Sequence, residues 1–197
     1  MGGYTREEFV KKYSPYINSV TRGTGLFPGT VIGQAILESS GKYNTGGQWL
    51  VGGSKLAQEA NNYFGIKAGP SWKGPVYNIS TREVINGKSA YQKDDFRKYN
   101  SVEDSIKDHL NFLTSNPRYR NAGVFNAKSV EEQAKAIKKA GYATDPNYAS
   151  SVTNVYESIK NSISKTVEVA KRNPIPTAII TASLIVGTYI LIKTIKK

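Results

Sequence analysis

A chain of 197 residues with 39% hydrophobic and 21% charged side chains has the make-up of one folded domain plus an appendage, which excludes wholesale disorder. Having no cysteine excludes disulfides, zinc–thiolate sites and thiol nucleophiles, and a single histidine argues against a His-based triad or a multi-histidine metal centre. A net charge of +12 calls for a polyanionic partner: nucleic acid, an anionic membrane or an acidic cell-wall polymer.

Part of that charge is local, in Lys171, Arg172, Lys193, Lys196 and Lys197, beyond the last acidic residue, Glu168. The rest is dispersed, which favours attraction to an anionic matrix over groove reading, so no specific nucleic-acid partner is expected. The 13 tyrosines suit clefts that stack on sugars or bases, and equally suit half-buried surface positions.

The opening Met1–Glu8 carries neither a basic start nor an apolar run, so no signal peptide is expected. Thr5 and Glu8 have capping-box spacing and announce a helix through Phe9, Val10, Tyr13 and Ile17. Pro28 suits the first turn of a second helix, through Val31, Ile32, Ala35, Ile36 and Leu37, stopping near Gly41. Gly46, Gly47, Gly52 and Gly53 make a loop, and a short helix follows from Ser54 to about Asn62. Between Trp72 and Tyr99 the pattern changes to that of strands: Tyr77, Ile79, Thr81, Val84 and Ile85 lead into Asn86-Gly87, a strong hairpin signal, followed by Tyr91 and Phe96. Helices resume at Ser101, capped through Asp104, and at Ser129 with Glu132, the latter ended by Gly141. Asp145-Pro146 opens a last long one through Tyr148, Val152, Val155, Ile159 and Ile163.

Pro174 and Pro176 divide this domain from a different segment. Asn173 to Ile192 holds no charged residue, and a run of about 20 is enough to cross a bilayer. The lysines and arginine on either side suit head groups. A helix buried in an oligomeric bundle is the alternative, since Thr177, Thr181, Ser183 and Thr188 dilute the hydrophobicity.

Several residues are candidates for chemistry. Glu38 borders the apolar stripe of the second helix and sits at its C-terminus, where both burial and the macrodipole push a carboxyl pKa up, as a general acid near neutral pH requires. An ordinary solvated Glu at a helix end fits the same position. Glu83 precedes the Asn86-Gly87 turn, and a carboxylate on a β-lobe facing one on a helix end is the layout of two-carboxylate glycosidases. Asp94 and Asp95 on the returning strand compete for that role. Tyr142, after Gly141, is placed either to reach a cleft or to pack in the core, and His109 fits a structural position on its helix.

Ala35-Ile-Leu-Glu-Ser39, Asn61-Asn-Tyr-Phe-Gly-Ile-Lys67, Phe96-Arg-Lys-Tyr99, Asp108-His-Leu-Asn-Phe-Leu113 and Ala140-Gly-Tyr-Ala-Thr-Asp-Pro146 occur in this order. The chain thereby resembles family 73 glycoside hydrolases, the glucosaminidase domains of bacterial autolysins, flagellar wall hydrolases and phage lysins, from roughly Thr5 to Lys160. The resemblance implies a mainly α (α+β), lysozyme-like helical domain with a small β-hairpin lobe. It also implies cleavage of the GlcNAc-β-1,4-MurNAc bond of peptidoglycan without a metal or organic cofactor. It makes Glu38 the general acid, Glu83 the second carboxylate and Tyr142 a residue that stabilises the transition state or positions substrate. Asn62, Tyr63 and Phe64 line the glycan cleft in this reading. The chain departs from the family after Ser39-Ser40-Gly41, where Lys42-Tyr43 and a glycine-rich loop follow.

The expected organisation is a glucosaminidase domain over 1–165, a linker over 166–174 and a hydrophobic, membrane-spanning helix with a basic end over 175–197. This leads us to expect a membrane- or virion-associated wall hydrolase, with oligomer or virion assembly through the C-terminal helix, as in a phage lysin. The rivals are a lytic transglycosylase, which needs one carboxylic acid, and a non-catalytic glycan-binding anchor.

Overall fold

In the computed structural model the first helix, α1 (Arg6–Thr21), begins at a complete capping box. The Thr5 hydroxyl accepts from Glu8 N–H at 3.2 Å while the Glu8 carboxylate accepts from Thr5 N–H at 2.8 Å. The structure describes residues 2–85 and 88–172, and the side chains of 81–92, 166–167 and 169–172 lie outside that description. Pro28 occupies the first turn of α2 (Pro28–Ser39). Next comes α3 (Lys55–Ala60), capped by Ser54 and stopped when Asn61 turns left-handed at φ 49°.

An antiparallel hairpin follows, β1 (Val76–Ile85) and β2 (Lys88–Arg97), paired from Val76↔Arg97 out to Ile85↔Lys88. Asn86 and Gly87 therefore stand between the strands, and both lie outside the described residues. The open end of the hairpin is fastened to the segment after α3: Ala68 N–H donates to Asp95 O at 2.8 Å and Arg97 N–H to Ile66 O at 3.0 Å.

Ser101 caps α4 (Val102–Ser115) through Asp104 N–H, and Ser129 caps α6 (Val130–Lys139) through Glu132 N–H. Between them lie two short pieces that periodicity does not reveal, α5 (Pro117–Asn121) and a 3-10 turn at Val124–Asn126. The last helix, α7 (Tyr148–Arg172), runs past Ile163 into the 166–174 segment. The segment from 173 onward, including the hydrophobic helix expected at 175–197, lies outside the described residues. Among the described residues no helix is long and apolar enough to cross a membrane.

The architecture is a helical body carrying one two-stranded sheet, and α2 is its axis. From Gly29 to Ile36 every residue of α2 is buried, against α1, α6 and α7. Two glycines let α7 come this close. A Cβ on Gly29 runs into the Tyr156 ring, and one on Gly33 lies 2.8 Å from the Val152 carbonyl oxygen. Phe9, Ile17, Val31, Ile36, Ile106, Leu113, Tyr119 and Ile137 complete the core. Burying such side chains contributes about 1.5–3 kcal/mol each.

Candidate active site

Glu38 is the penultimate residue of α2, at the point where the helix leaves the core. Leu37 and Glu38 are half-buried while Ser39 is fully buried. The helix end is pinned by serines. The Ser39 hydroxyl donates to Ala35 O at 2.6 Å and accepts from Gly52 N–H at 2.9 Å, and Ser54 N–H donates to Ser39 O at 2.9 Å. The glycine-rich loop is thereby laced to the backbone carrying Glu38. Gly41 and Gly53 cross so closely there that a Cβ on Gly53 collides with the Gly41 carbonyl.

Burial pushes the Glu38 carboxyl up to about 7, against the opposing pull of a hydrogen bond from the Tyr148 hydroxyl. Burial and the nearby Glu38 carboxylate in turn raise the Tyr148 phenol. Tyr148 is the first residue of α7 and is buried. Its oxygen accepts a hydrogen bond from Gln34 Nε2 at 2.7 Å, and Gln34 Oε1 lies 3.1 Å from His109 Nε2. Gln34 and His109 are both 0% exposed. The His109 ring is stacked on Phe64 with centroids 3.9 Å apart and planes 4° apart, and meets the edge of Tyr142 at 5.7 Å. Burial holds this imidazole neutral, lowering it to about 3. His109, which fits a structural position on sequence grounds, is thus connected through Gln34 and Tyr148 to Glu38. Neither Gln34 nor Tyr148 stands out in the sequence as a functional residue. The available signal is an amide within the apolar face of α2, one helical turn before Glu38.

Tyr142 lies half-buried beside this chain, its hydroxyl donating to the Phe64 carbonyl at 2.8 Å and its ring 5.8 Å from that of Tyr148. Burial, then the charges of its neighbours including Glu38, raise its phenol well above the usual range.

Asn62, Tyr63 and Phe64 are placed differently from the expectation that they line the cleft: they are 1%, 4% and 2% exposed. The Asn62 amide donates to Ile66 O at 2.9 Å and Arg97 O at 2.8 Å, and its oxygen accepts from Ile66 N–H at 3.1 Å. A buried amide spends itself on backbone in this way because leaving those groups unpaired costs more. Tyr63 stacks against Phe9 at 5.9 Å under Gly52, and Phe64 backs His109. These three build the wall behind the site.

Of the candidate second carboxylates, Asp94 is buried and pairs with Lys67 Nζ at 2.9 Å. Asp95 is exposed and accepts from the Asn78 amide. Glu83 stands opposite Ala90, four residues along β1 from the partner of Asp94, about 13 Å farther towards the hairpin tip. Its side chain lies outside the described residues. At the base of the hairpin Arg97 pairs with Asp108 at 2.8 Å, and the Tyr99 hydroxyl donates to the same carboxylate at 2.7 Å. Among the described residues no group of three or more His, Cys, Asp or Glu is arranged to hold a metal ion.

A family model described as mannosyl-glycoprotein endo-beta-N-acetylglucosaminidase, the glucosaminidase model, matches residues 14–161. The chain is 36% identical over 167 residues to the peptidoglycan hydrolase FlgJ of Salmonella typhimurium, covering 81% of this chain and 49% of that protein. It is 33% identical over 155 residues to the exo-glucosaminidase LytG of Bacillus subtilis, covering 77% and 51% respectively. The chain thus spans about half the length of these curated relatives. The solved glycoside hydrolase domain of the Salmonella FlgJ shares the fold, with a TM-score of 0.59 at 31% identity over 85% of this chain and 96% of that one.

Proposed function

This chain belongs to the glucosaminidase family of glycoside hydrolases, and from that premise we propose that it hydrolyses the GlcNAc-β-1,4-MurNAc bond of peptidoglycan with Glu38 as general acid. The observation that carries this reading is the Glu38 carboxyl itself. It stands at a helix end, desolvated enough to titrate at about 7 yet half open to solvent. A general acid near neutral pH must be protonated before the reaction and able to lose its proton during it, and a value near the working pH satisfies both.

In the proposed step Glu38 protonates the glycosidic oxygen as positive charge builds on the sugar ring, and the bond to the leaving sugar breaks. Water then completes the hydrolysis. We assign its activation to Glu83, because Asp94 and Asp95 are engaged by Lys67 and Asn78. The N-acetyl oxygen of the substrate is the alternative nucleophile. Tyr142, whose hydroxyl is already donating to Phe64 O, is assigned a positioning role as a wall beside the acid. The net charge of +12 supports attraction to an anionic wall. The uncharged run from Asn173 to Ile192, with basic residues on both sides, supports anchoring of the domain at a membrane through 175–197. Deleting 173–197 is then expected to spare hydrolysis of purified wall and to release the protein from the membrane fraction.

The deciding experiment is digestion of purified peptidoglycan by wild type and Glu38→Gln, with mass spectrometry of the reduced products. Fragments ending in reduced GlcNAc, absent with the variant, are expected. Anhydro-muramic ends would move the protein to the transglycosylases, and products independent of Glu38 would sink the assignment of the acid.

A further inference from the structure

We propose that His109 and Gln34 are positioning residues that, through Tyr148, turn the acid proton of Glu38 towards the cleft and away from the protein. The inference rests on Glu38 being the general acid, and its substance is a chain of hydrogen bonds with one permitted direction.

Gln34 Oε1 only accepts, so the contact at 3.1 Å requires the proton of His109 to be on Nε2. The other ring nitrogen, Nδ1, is buried and has no hydrogen-bond partner. The opposite tautomer would put an N–H there with nothing to receive it, and buried orphan N–H groups are the rarest kind. The ring is held from turning over by Phe64 on its face and Tyr142 at its edge. With Oε1 engaged by His109, the Gln34 amide must aim its NH2 at Tyr148, where Nε2 donates at 2.7 Å. A phenol has one hydrogen to give. With Tyr148 already accepting from Gln34, we direct that hydrogen to the neighbouring Glu38 carboxylate, whose proximity raises the phenol.

Two consequences follow for the acid. Ionised Glu38 gains a charge-assisted donor, which offsets part of the desolvation. Protonated Glu38 meets an oxygen already supplied with a donor, so its own hydrogen points outward, where a glycosidic oxygen can take it. Were His109 absent, Gln34 would be free to present Oε1 to Tyr148. The phenol would then donate backwards to Gln34 and offer its lone pair to the Glu38 proton. Among the described residues the titratable groups that face Glu38 are Tyr148 at the start of α7 and Tyr142 before it, both phenols raised by burial. Both stay neutral through the working range, and the titration that disappears in Glu38→Gln is the one that reports Glu38.

Because the chain has a single histidine, 15N-labelled protein gives one imidazole to observe. The expected spectrum is the neutral Nε2–H tautomer from about pH 5 to about pH 9, where a free histidine would protonate. Its shift should move with a midpoint near that of Glu38 in wild type and stay still in Glu38→Gln. In His109→Phe, where Gln34 is free to take the phenol proton, the alkaline limb of kcat/KM on soluble peptidoglycan fragments should rise by about one pH unit, the weight of one charge-assisted hydrogen bond. At low pH, where Glu38 is protonated in every variant, kcat should fall about tenfold or more with KM unchanged. Tyr148→Phe should do the same, with no further change in the double variant. A proton found on Nδ1, a His109 that protonates near its usual value, or an unmoved alkaline limb in folded His109→Phe would each overturn the proposal. Full activity in Glu38→Gln would remove the acid assignment itself, an outcome distinct from failure of the relay, in which Glu38→Gln stays inactive.

Discussion

In Glu38→Gln the amide keeps the shape of the side chain, can still accept from Tyr148 and removes the titration, so the variant isolates what the carboxyl costs the fold. The group sits at about 7 in the folded protein against an ordinary 4.5, because burial disfavours its charged form. In the unfolded chain the proton leaves near the ordinary value, whereas the folded protein holds it to about 7. The stability associated with the neutral carboxyl is therefore complete below 4.5 and is lost as pH rises through 7. Taken in full the gap corresponds to about 3 kcal/mol, and the part of the carboxyl that meets water reduces this to about 1–2 kcal/mol. Wild type and variant should be equally stable near pH 4. The variant should pull ahead between pH 4.5 and 7 and at pH 8 melt about 2–8 °C higher, while hydrolysing no wall. Thermal unfolding of both proteins across this range, with wall digestion on the same samples, measures it. A stability difference that does not change with pH, or a wild type that is the more stable at pH 8, would refute the desolvation argument. Retained hydrolysis would refute the acid.

Gly33→Ala pushes a methyl group against the Val152 carbonyl and forces α7 away from α2. We expect a loss of about 1–3 kcal/mol in urea unfolding and a fall in kcat, because Tyr148 moves with α7. Asn62→Ala strips four hydrogen bonds, three of them buried, from the loop behind the site and should cost about 2–4 kcal/mol of stability with KM for glycan little changed. Weakened substrate affinity with unaltered stability would instead return Asn62 to the cleft. Glu83→Gln should lower kcat about a hundredfold or more at unchanged melting temperature, whereas Asp94→Asn, which loses the Lys67 pair, should change stability by about 1 kcal/mol or less and leave kcat near wild type.

What the sequence discloses is what is local. The starts of α1, α4 and α6 are legible because each rests on a hydroxyl meeting an N–H three residues on. The hairpin is legible because its strands alternate and a glycine-containing dipeptide stands between them. The pieces α5 and Val124–Asn126 are too short to have a period, so only the packing reveals them. Glu38 is legible because helix end and apolar neighbours are both near it in the chain. Its supporting residues are not: Gln34 meets Tyr148 across 114 positions and His109 across 75. The burial of Asn62, Tyr63 and Phe64 is hidden from the sequence for a related reason. An Asn between aromatics suggests a sugar-binding surface, and only the fold reveals that the amide is consumed by Ile66 and Arg97.

The motifs that carry the family resemblance are joined to one another around a single carboxyl. Asn62 holds the backbone of Arg97, and Arg97 holds Asp108. The neighbour of Asp108, His109, meets Gln34, one residue before the Ala35–Ser39 motif. Tyr142 returns to Phe64, while Tyr148 closes on Gln34 and Glu38. The physics explains why so much of the resemblance is scaffolding. An acid titrating at about 7 needs surroundings that withhold both water and counter-charge, so the polar groups nearby must be satisfied by each other. His109 kept neutral, Asn62 spent on backbone and Asp108 occupied by Arg97 and Tyr99 are three instances of that requirement. Glu38 differs from them in titrating near neutral pH at a part-exposed helix end, and the frame around it gives its proton a direction in which to leave.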